Sequence, residues 1–452
     1  MIRMQLSDVV LAINASLIGA DVEFNGCSTD TRTIEKDNLF IALHGENFDG
    51  HNFIEQAAEK GASSCLIDKQ SEKILPTLLV QDAKHAMGLL AQRWRETLDV
   101  RIVAVTGSNG KTSVKEMVKS ILSEAGSTHA TSGNLNNDIG VPLTLFALDG
   151  LHNYAVIEMG ANHIGEIEWL SAITKPDVAV ITQCAPAHLE GFGSVDSVAK
   201  AKAEIYSGLQ EAGVAVINAD DDYADYWKNI CAERQTCCFS LTNNQADVYA
   251  SDILEQIEQK NIKFNLHIGN KAIQIKLPLV GMHNVKNALA AAACCLSLNI
   301  SLELIKQGLE KLTGVKGRLQ FLSGQHESRI IDDTYNANPA SLAAAISVLS
   351  HIKGKRYLVL GDMGELGNTA ADLHAEAGQI ASKAGIDGLF TLGELSQYAQ
   401  QSFGEGAIHF RNIDELNKHI KSLLGSNITI LVKGSRSMKM ERVVNAITEE
   451  QY

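Results

Sequence analysis

An α/β fold in three units is what this sequence predicts, and three observations lead to it. From Arg101 onward short apolar runs alternate with helical stretches: "RIVAVTG", "YAVIEMG", "DVAVITQ" and "GVAVINAD" are runs of the kind buried on both faces of a parallel sheet. That alternation lapses between Asp247 and Val280, where "DVYASDIL", "IKFNLHIG" and "AIQIKLPLV" read as successive antiparallel strands. It resumes near Gly317 with "SRIIDDT", "RYLVLGD", "GLFTLGE" and "ITILVKGS". The expected units are 1–98, 99–315 and 316–452.

The first unit mixes short strands such as "NLFIAL" and "SSCLID" with the helical "HNFIEQAAEKGA", a small α/β module. The second is the alternating series with its antiparallel close. The third has no Gly-x-Gly-x-x-Gly after a strand, so its own pattern does not indicate a dinucleotide fold. With 452 residues, each unit is large enough for a core of its own.

Charge and cysteine usage set the compartment and exclude some partners. A net charge of −14, from 39 basic and 53 acidic residues, argues against non-specific nucleic-acid binding. The opening "MIRMQLSDVVLAINASL" has no long apolar run after Arg3 and no small-residue cleavage pattern, so no signal peptide is expected. No stretch approaches membrane-spanning length. Among the eight cysteines, Cys237–Cys238 and Cys294–Cys295 are adjacent pairs, and none has CxxC spacing; this fits a reducing cytoplasm.

The chemistry begins at "VAVTGSNGKTSVKEMV": strand, tight loop, helix. Gly107, Ser108, Asn109, Gly110, Lys111, Thr112 and Ser113 have the composition of a loop whose backbone N–H groups face phosphate at a helix N-terminus. The spacing is shorter than the standard form, since only Ser108 and Asn109 separate the glycines; an ordinary turn is the alternative. Glu158 ends the strand "YAVIEMG", where a carboxylate in an apolar run calls for a cation, and Thr112 is the usual hydroxyl ligand for magnesium beside such a loop. In "AHLEGFGS" and the helix after it, His188 and Lys202 are either solvated side chains or part of a metal or phosphate site. Asn284 and Asn287 open an alanine-rich helix as caps or as readers of an adenine edge. Arg318 and Asp333 could meet phosphate and ribose or pair on the surface; spacing does not choose.

Taken together, "TGSNGKTS", "IEMG", "AHLEGFGS" with Lys202, "GMHNVKNALAAA", "GRLQ" and "DDTYNANPAS" occur in an order that resembles the Mur ligases of peptidoglycan synthesis, over nearly the whole chain. The short loop is that family's form. The resemblance implies three domains: an N-terminal UDP-substrate domain, a central P-loop ATPase domain with a mainly parallel sheet, and a Rossmann-like C-terminal domain for the incoming amino compound. It implies ATP and Mg2+, with Thr112, Glu158, His188 and Lys202 as a carbamate around the metal, and Lys111 on the phosphates. By the same likeness Asn284 and Asn287 lie toward adenine, and Arg318 and Asp333 complete the nucleotide site.

"GCSTDTRTIEKDNLFIALHGENFDGHNF", "GNLNNDIGVPLTL", "LGDMGELG" followed by His374, and "LVKGSRSMKMERVV" are similar to the branch that joins D-alanyl-D-alanine to a UDP-N-acetylmuramoyl-tripeptide. Ser28, Asp30 and Arg32 then fall to uridine diphosphate. Asn134, Asn137, Asn336, Asn338, Lys433, Ser435 and Arg436 fall to the peptide substrates. A cytoplasmic monomer is expected, and whether the tripeptide ends in diaminopimelate or lysine is left open by the sequence.

Overall fold

The computed structural model describes residues 1–45, 48–70, 74–186 and 189–449. Its three main sheets are built from residues 16–79, 101–277 and 320–433. In the first, the strand order is Ser16–Ile18, Thr77–Leu79, Ser64–Ile67, Leu39–Ile41, Cys27–Ser28, parallel except for the pairing of the first two. The stretch "HNFIEQAAEKGA" forms a shorter helix than its pattern suggests: Asp49 caps a 3-10 turn, Gly50–Phe53, and the α-helix is Ile54–Glu59.

The second sheet has nine strands. Thr128–Ala130, Tyr154–Glu158, Arg101–Thr106, Val178–Ile181, Val214–Asn218, Gln235–Ser240 and Val248–Gln256 are parallel in that spatial order, and Asn261–Ile268 and Lys271–Leu277 complete it as an antiparallel meander. Helix Lys111–Ser123 buries Val114, Met117, Val118, Ile121 and Leu122 against Val103, Val105 and Val156, which anchors the helix that follows the glycine loop. On the same face the alanine-rich helix Met282–Ser297 buries Ala290 to Ala293. The outer strand, Lys271–Leu277, has no neighbour strand on one side. There Glu310 accepts from the Lys276 N–H at 2.8 Å, and Lys306, paired with Glu310 at 2.6 Å, donates to the Gln274 carbonyl.

The third sheet runs Gln320–Ser323, Arg329–Asp333, Ile428–Lys433, Lys355–Gly361, Gly388–Leu392, Ala407–Phe410. Only the first pair is antiparallel. The last long strand of the chain therefore inserts beside an early one and sets Asp333 opposite Lys433.

The first two units share one continuous core that reaches from Ile2 to Cys231. Helix Ala83–Arg95 contributes to it by packing on helices Gly140–Phe146 and Glu166–Thr174 of the second unit. The approach is close at Gly88, where a Cβ would lie 2.4 Å from Trp169, and His85 stacks on the same indole. Among the described residues no helix is long and apolar enough to cross a membrane.

His374 is fully buried in the third unit, where its Nε2 accepts from the Met363 N–H and its Nδ1 proton goes to the Ala370 carbonyl. Burial lowers its pKa below the ordinary 6.5, so the folded chain holds it neutral while the unfolded chain protonates it. The unfolded state then binds more protons below pH 6.5, and stability present above that value falls as pH drops. As pH falls from about 7.5 to about 5, urea midpoints should decline more steeply in wild type than in His374→Gln.

Candidate active site

The glycine loop is folded as its composition requires. Gly107 leaves the strand at φ +151°, and a Cβ there would lie 1.8 Å from Thr182 Oγ1. Gly110 sits at φ +82°, where a Cβ would meet Asn287 Oδ1 at 2.6 Å. Ser108 pins the loop to the neighbouring strand end by donating its N–H to Gln183 and its hydroxyl to Ala185. Lys111, first residue of the helix, donates to the Gly107 carbonyl at 2.7 Å. Burial disfavours its ammonium, Glu158 opposes that effect and Arg318 adds to it.

Parallel pairing of Val105 with Glu158 brings this carboxylate next to the loop. Glu158 is 2 % exposed. Its Oε1 accepts from Asn136 at 2.9 Å, its N–H is received by Thr131 Oγ1, and its Oε2 has no hydrogen-bond partner among the described residues. A buried carboxylate oxygen without a donor fits a cation. Thr112 Oγ1 lies in the same region and accepts from Arg318 Nη2 at 3.1 Å. No group of three His, Cys, Asp or Glu that could hold a metal occurs among the described residues. His188 lies outside the described residues.

Lys202 lines the cleft at 1 % exposure, its side chain with no hydrogen bond or ion pair among the described residues. Glu204, the nearest carboxylate in sequence, is engaged elsewhere: it accepts from the N–H groups of Gly165 and Glu168 and caps a helix. Burial, helped by the Lys111 charge, brings the Lys202 pKa down to about 7.

The third unit closes the opposite wall. Arg318 lays its guanidinium 4.1 Å from the Tyr335 ring centroid while it donates to Thr112. Asp333 pairs with Lys433 at 2.6 Å and accepts from the Leu319 N–H, and Lys433 also donates to the Asn336 carbonyl. Asn338 caps helix Pro339–Ser350 through its oxygen and donates Nδ2 to Asn109 Oδ1 at 2.7 Å.

Most of these groups, though not Gly107, Thr112 or Thr131, line one cavity of about 920 Å³. It gathers Ser108 to Lys111, Ser113, Asn134, Asn137, Glu158 and Lys202 from the second unit. Asn284 and Asn287 join them, facing Arg318, Asp333, Asn336, Asn338 and Lys433 of the third. Asn137 Oδ1 also accepts from the Gly140 N–H, at the start of helix Gly140–Phe146. Ser28, Asp30, Arg32, Ser435 and Arg436 are not on its wall. In the first unit Arg32 pairs with Asp30 at 2.6 Å and the Ser28 hydroxyl bonds the same turn, while Arg436 pairs with Glu441.

Sequence reasoning passed over three residues of the site and gave His283 no role. Asn136 and Thr131 fix Glu158, and Tyr335 supports Arg318. His283 lines the cleft, and burial lowers its pKa to about 4. Asn136 lies in the quoted "GNLNNDIG", but nothing in that run ranks one asparagine above the next.

Comparison with known proteins matches residues 23–95 to the Mur ligase family catalytic domain, 105–295 to the Mur ligase middle domain and 317–436 to the Mur ligase glutamate ligase domain. The chain is 44 % identical over 451 residues, 99 % of each chain, to the UDP-N-acetylmuramoyl-tripeptide–D-alanyl-D-alanine ligase of Escherichia coli. It is 35 % identical to the protein of the same name in Bacillus subtilis, over 99 % of each. A crystal structure of MurF from Acinetobacter baumannii superposes with a TM-score of 0.93 at 35 % identity, covering 100 % of both chains. The MurF ligase of Thermotoga maritima in complex with ADP superposes with 0.84 at 26 % identity, covering 93 % of this chain and 96 % of that one. With its cleft built between the second and third units and relatives matched from end to end, this chain belongs to the Mur ligase family.

Proposed function

We propose that this chain joins D-alanyl-D-alanine to UDP-N-acetylmuramoyl-tripeptide, using ATP, in the cytoplasmic stage of peptidoglycan synthesis. The observation that carries the reading is the single cleft in which a phosphate-type loop, an unsatisfied buried carboxylate and a second domain's cations face one another. Full-length relatives bearing that activity in their names support it, and the ADP-bound relative supports the nucleotide.

In this reading the tripeptide's terminal carboxylate oxygen attacks the γ-phosphorus of ATP and ADP leaves. The amine of the dipeptide then attacks the acyl carbon, the carbon–oxygen bond to phosphate breaks, and the amine's proton is lost as the amide forms. Lys111 and the loop N–H groups balance charge on the phosphates. Its bond to the Gly107 carbonyl keeps the ammonium beside the loop until phosphate takes its place. Arg318 and Asp333 bring the third domain to the nucleotide, and Asn284 and Asn287 border the adenine end. Thr112, Glu158, His188 and carbamylated Lys202 are the residues that would hold Mg2+, which supplies charge neutralisation at the transferring phosphoryl. Residues 1–98 receive the uridine diphosphate through Ser28, Asp30 and Arg32, residues 99–315 the ATP, and residues 316–452 the dipeptide. Asn134 and Asn137 lie toward the tripeptide; Asn336, Lys433, Ser435 and Arg436 lie toward the dipeptide, while Asn338, expected there too, has both ends of its amide engaged by Ser341 and Asn109.

The direct test is incubation with ATP, magnesium, D-alanyl-D-alanine and each of the lysine- and diaminopimelate-ending UDP-tripeptides. The expected mass is the pentapeptide. Amide formed only with a different acceptor would place the chain on another branch of the family.

Closure across two domains has its own test. Arg318→Ala removes the donor to Thr112 and the cation over Tyr335, so the KM for ATP should rise and turnover fall together, about tenfold or more in kcat/KM. Asp333→Ala is the poorer variant, because it strands Lys433 buried without its anion. Asp333→Asn keeps an acceptor there and should show the ATP effect with the fold retained. Unchanged ATP kinetics in both Arg318→Ala and Asp333→Asn would remove the third domain from the nucleotide site.

A further inference from the structure

The glycine loop and the third domain meet through two asparagines 229 positions apart, and their amide orientations are not free. Asn338 is the N-cap of helix Pro339–Ser350: its Oδ1 accepts from the Ser341 N–H at 2.9 Å, within a complete capping box. Since the oxygen is committed to the helix, the NH2 group of Asn338 must point away from it, toward the loop. It donates to Asn109 at 2.7 Å, so Asn109 must present its oxygen there. The NH2 group of Asn109 is consequently turned to its other side, where it is buried without an acceptor among the described residues although Asn109 lines the cleft. A buried donor in that condition costs stability until an acceptor arrives.

We infer that Asn338 is a positioning residue for the nucleotide: it orients the Asn109 amide so that NH2, and not oxygen, is offered to a phosphate oxygen of the bound nucleotide. The cap of a helix in one domain thereby sets the polarity of a side chain in the phosphate loop of another. Undocking the third domain releases the Asn109 amide to rotate, and the loop loses a fixed donor. The inference rests on the reading of this loop as a phosphate site and needs neither peptide substrate, so it is tested by binding alone.

Two substitutions separate capping from orientation. Serine and aspartate both cap helices well. Asn338→Ser keeps the cap and removes the donor to Asn109. Asn338→Asp keeps the cap and replaces that donor with an acceptor, which invites Asn109 to rotate its NH2 toward residue 338 and turn its oxygen on the phosphate. The β,γ-methylene analogue of ATP, with magnesium, is titrated into each purified full-length variant by calorimetry, beside melting temperatures. Affinity should fall a few-fold in Asn338→Ser and roughly tenfold to a hundredfold in Asn338→Asp, with melting temperatures near wild type. In an Asn109→Ala background Asn338→Asp should cost little further affinity, because its target is gone. A purely structural cap predicts no change in either variant, and wild-type affinity in Asn338→Asp overturns the inference. So does full additivity with Asn109→Ala. If Asn338→Asp melts early, wild-type affinity in Asn338→Ser overturns it instead. Failure of the ligase reading shows separately, as absence of amide product from the wild-type protein.

Discussion

Lys111→Ala is expected to lower turnover by roughly a hundredfold to a thousandfold, the cost of deleting one preorganised charge from a transition state. The reason is differential. Negative charge on the transferring oxygens grows as the phosphoryl group moves, and an ammonium held at the loop by its bond to the Gly107 carbonyl meets that charge only then. Affinity for the UDP-tripeptide should change little, because this lysine sits with the phosphate loop of the second domain. Lys111→Met keeps the apolar stem and isolates the charge, so it should behave as the alanine variant does. Steady-state kinetics with saturating tripeptide decide the matter, and near-normal turnover in either variant removes the loop from the mechanism.

Lys202→Ala should be almost as damaging, for an opposite reason. Here a cation is buried with no anion to meet it among the described residues, beside a second lysine that repels it. That arrangement disfavours the ammonium; in the reading proposed above, the neutral amine adds carbon dioxide and loses a proton, which gives a carbamate anion suited to a hard metal. Acetate or formate, at fixed ionic strength, should therefore restore part of the activity of Lys202→Ala and none of the activity of Lys111→Ala. Wild-type turnover should rise with added bicarbonate in carbon-dioxide-depleted buffer. Full activity in the unrescued alanine variant would show that Lys202 serves packing alone.

The sequence disclosed those parts of the molecule that are local. Runs such as "RIVAVTG" and "DVAVITQ" could be read as buried parallel strands because both faces of such strands are apolar, and Gly107 and Gly110 announced their loop because few other residues tolerate that backbone. Contacts between distant segments were not legible. The insertion of Ile428–Lys433 beside Arg329–Asp333 makes the Asp333–Lys433 pair, and strand order is not written in either strand's composition. Asn136, which holds Glu158, is one asparagine in a run of similar ones, and only the fold selects it. Helix Ala83–Arg95 shows the same limit: it precedes the expected boundary at 98 yet shares the second unit's core, because its glycine admits Trp169.

The bare edge of the nine-stranded sheet has a consequence for the protein at high concentration. A strand with open main-chain groups is a template on which another chain can extend the sheet, and the usual outcome is insoluble aggregate. On Lys271–Leu277 two of those groups are already taken, the Lys276 N–H by Glu310 and the Gln274 carbonyl by Lys306. An incoming strand would have to break an ion pair and leave both charges beside its own backbone. One helical turn of the chain thus acts as a guard against strand-by-strand polymerisation.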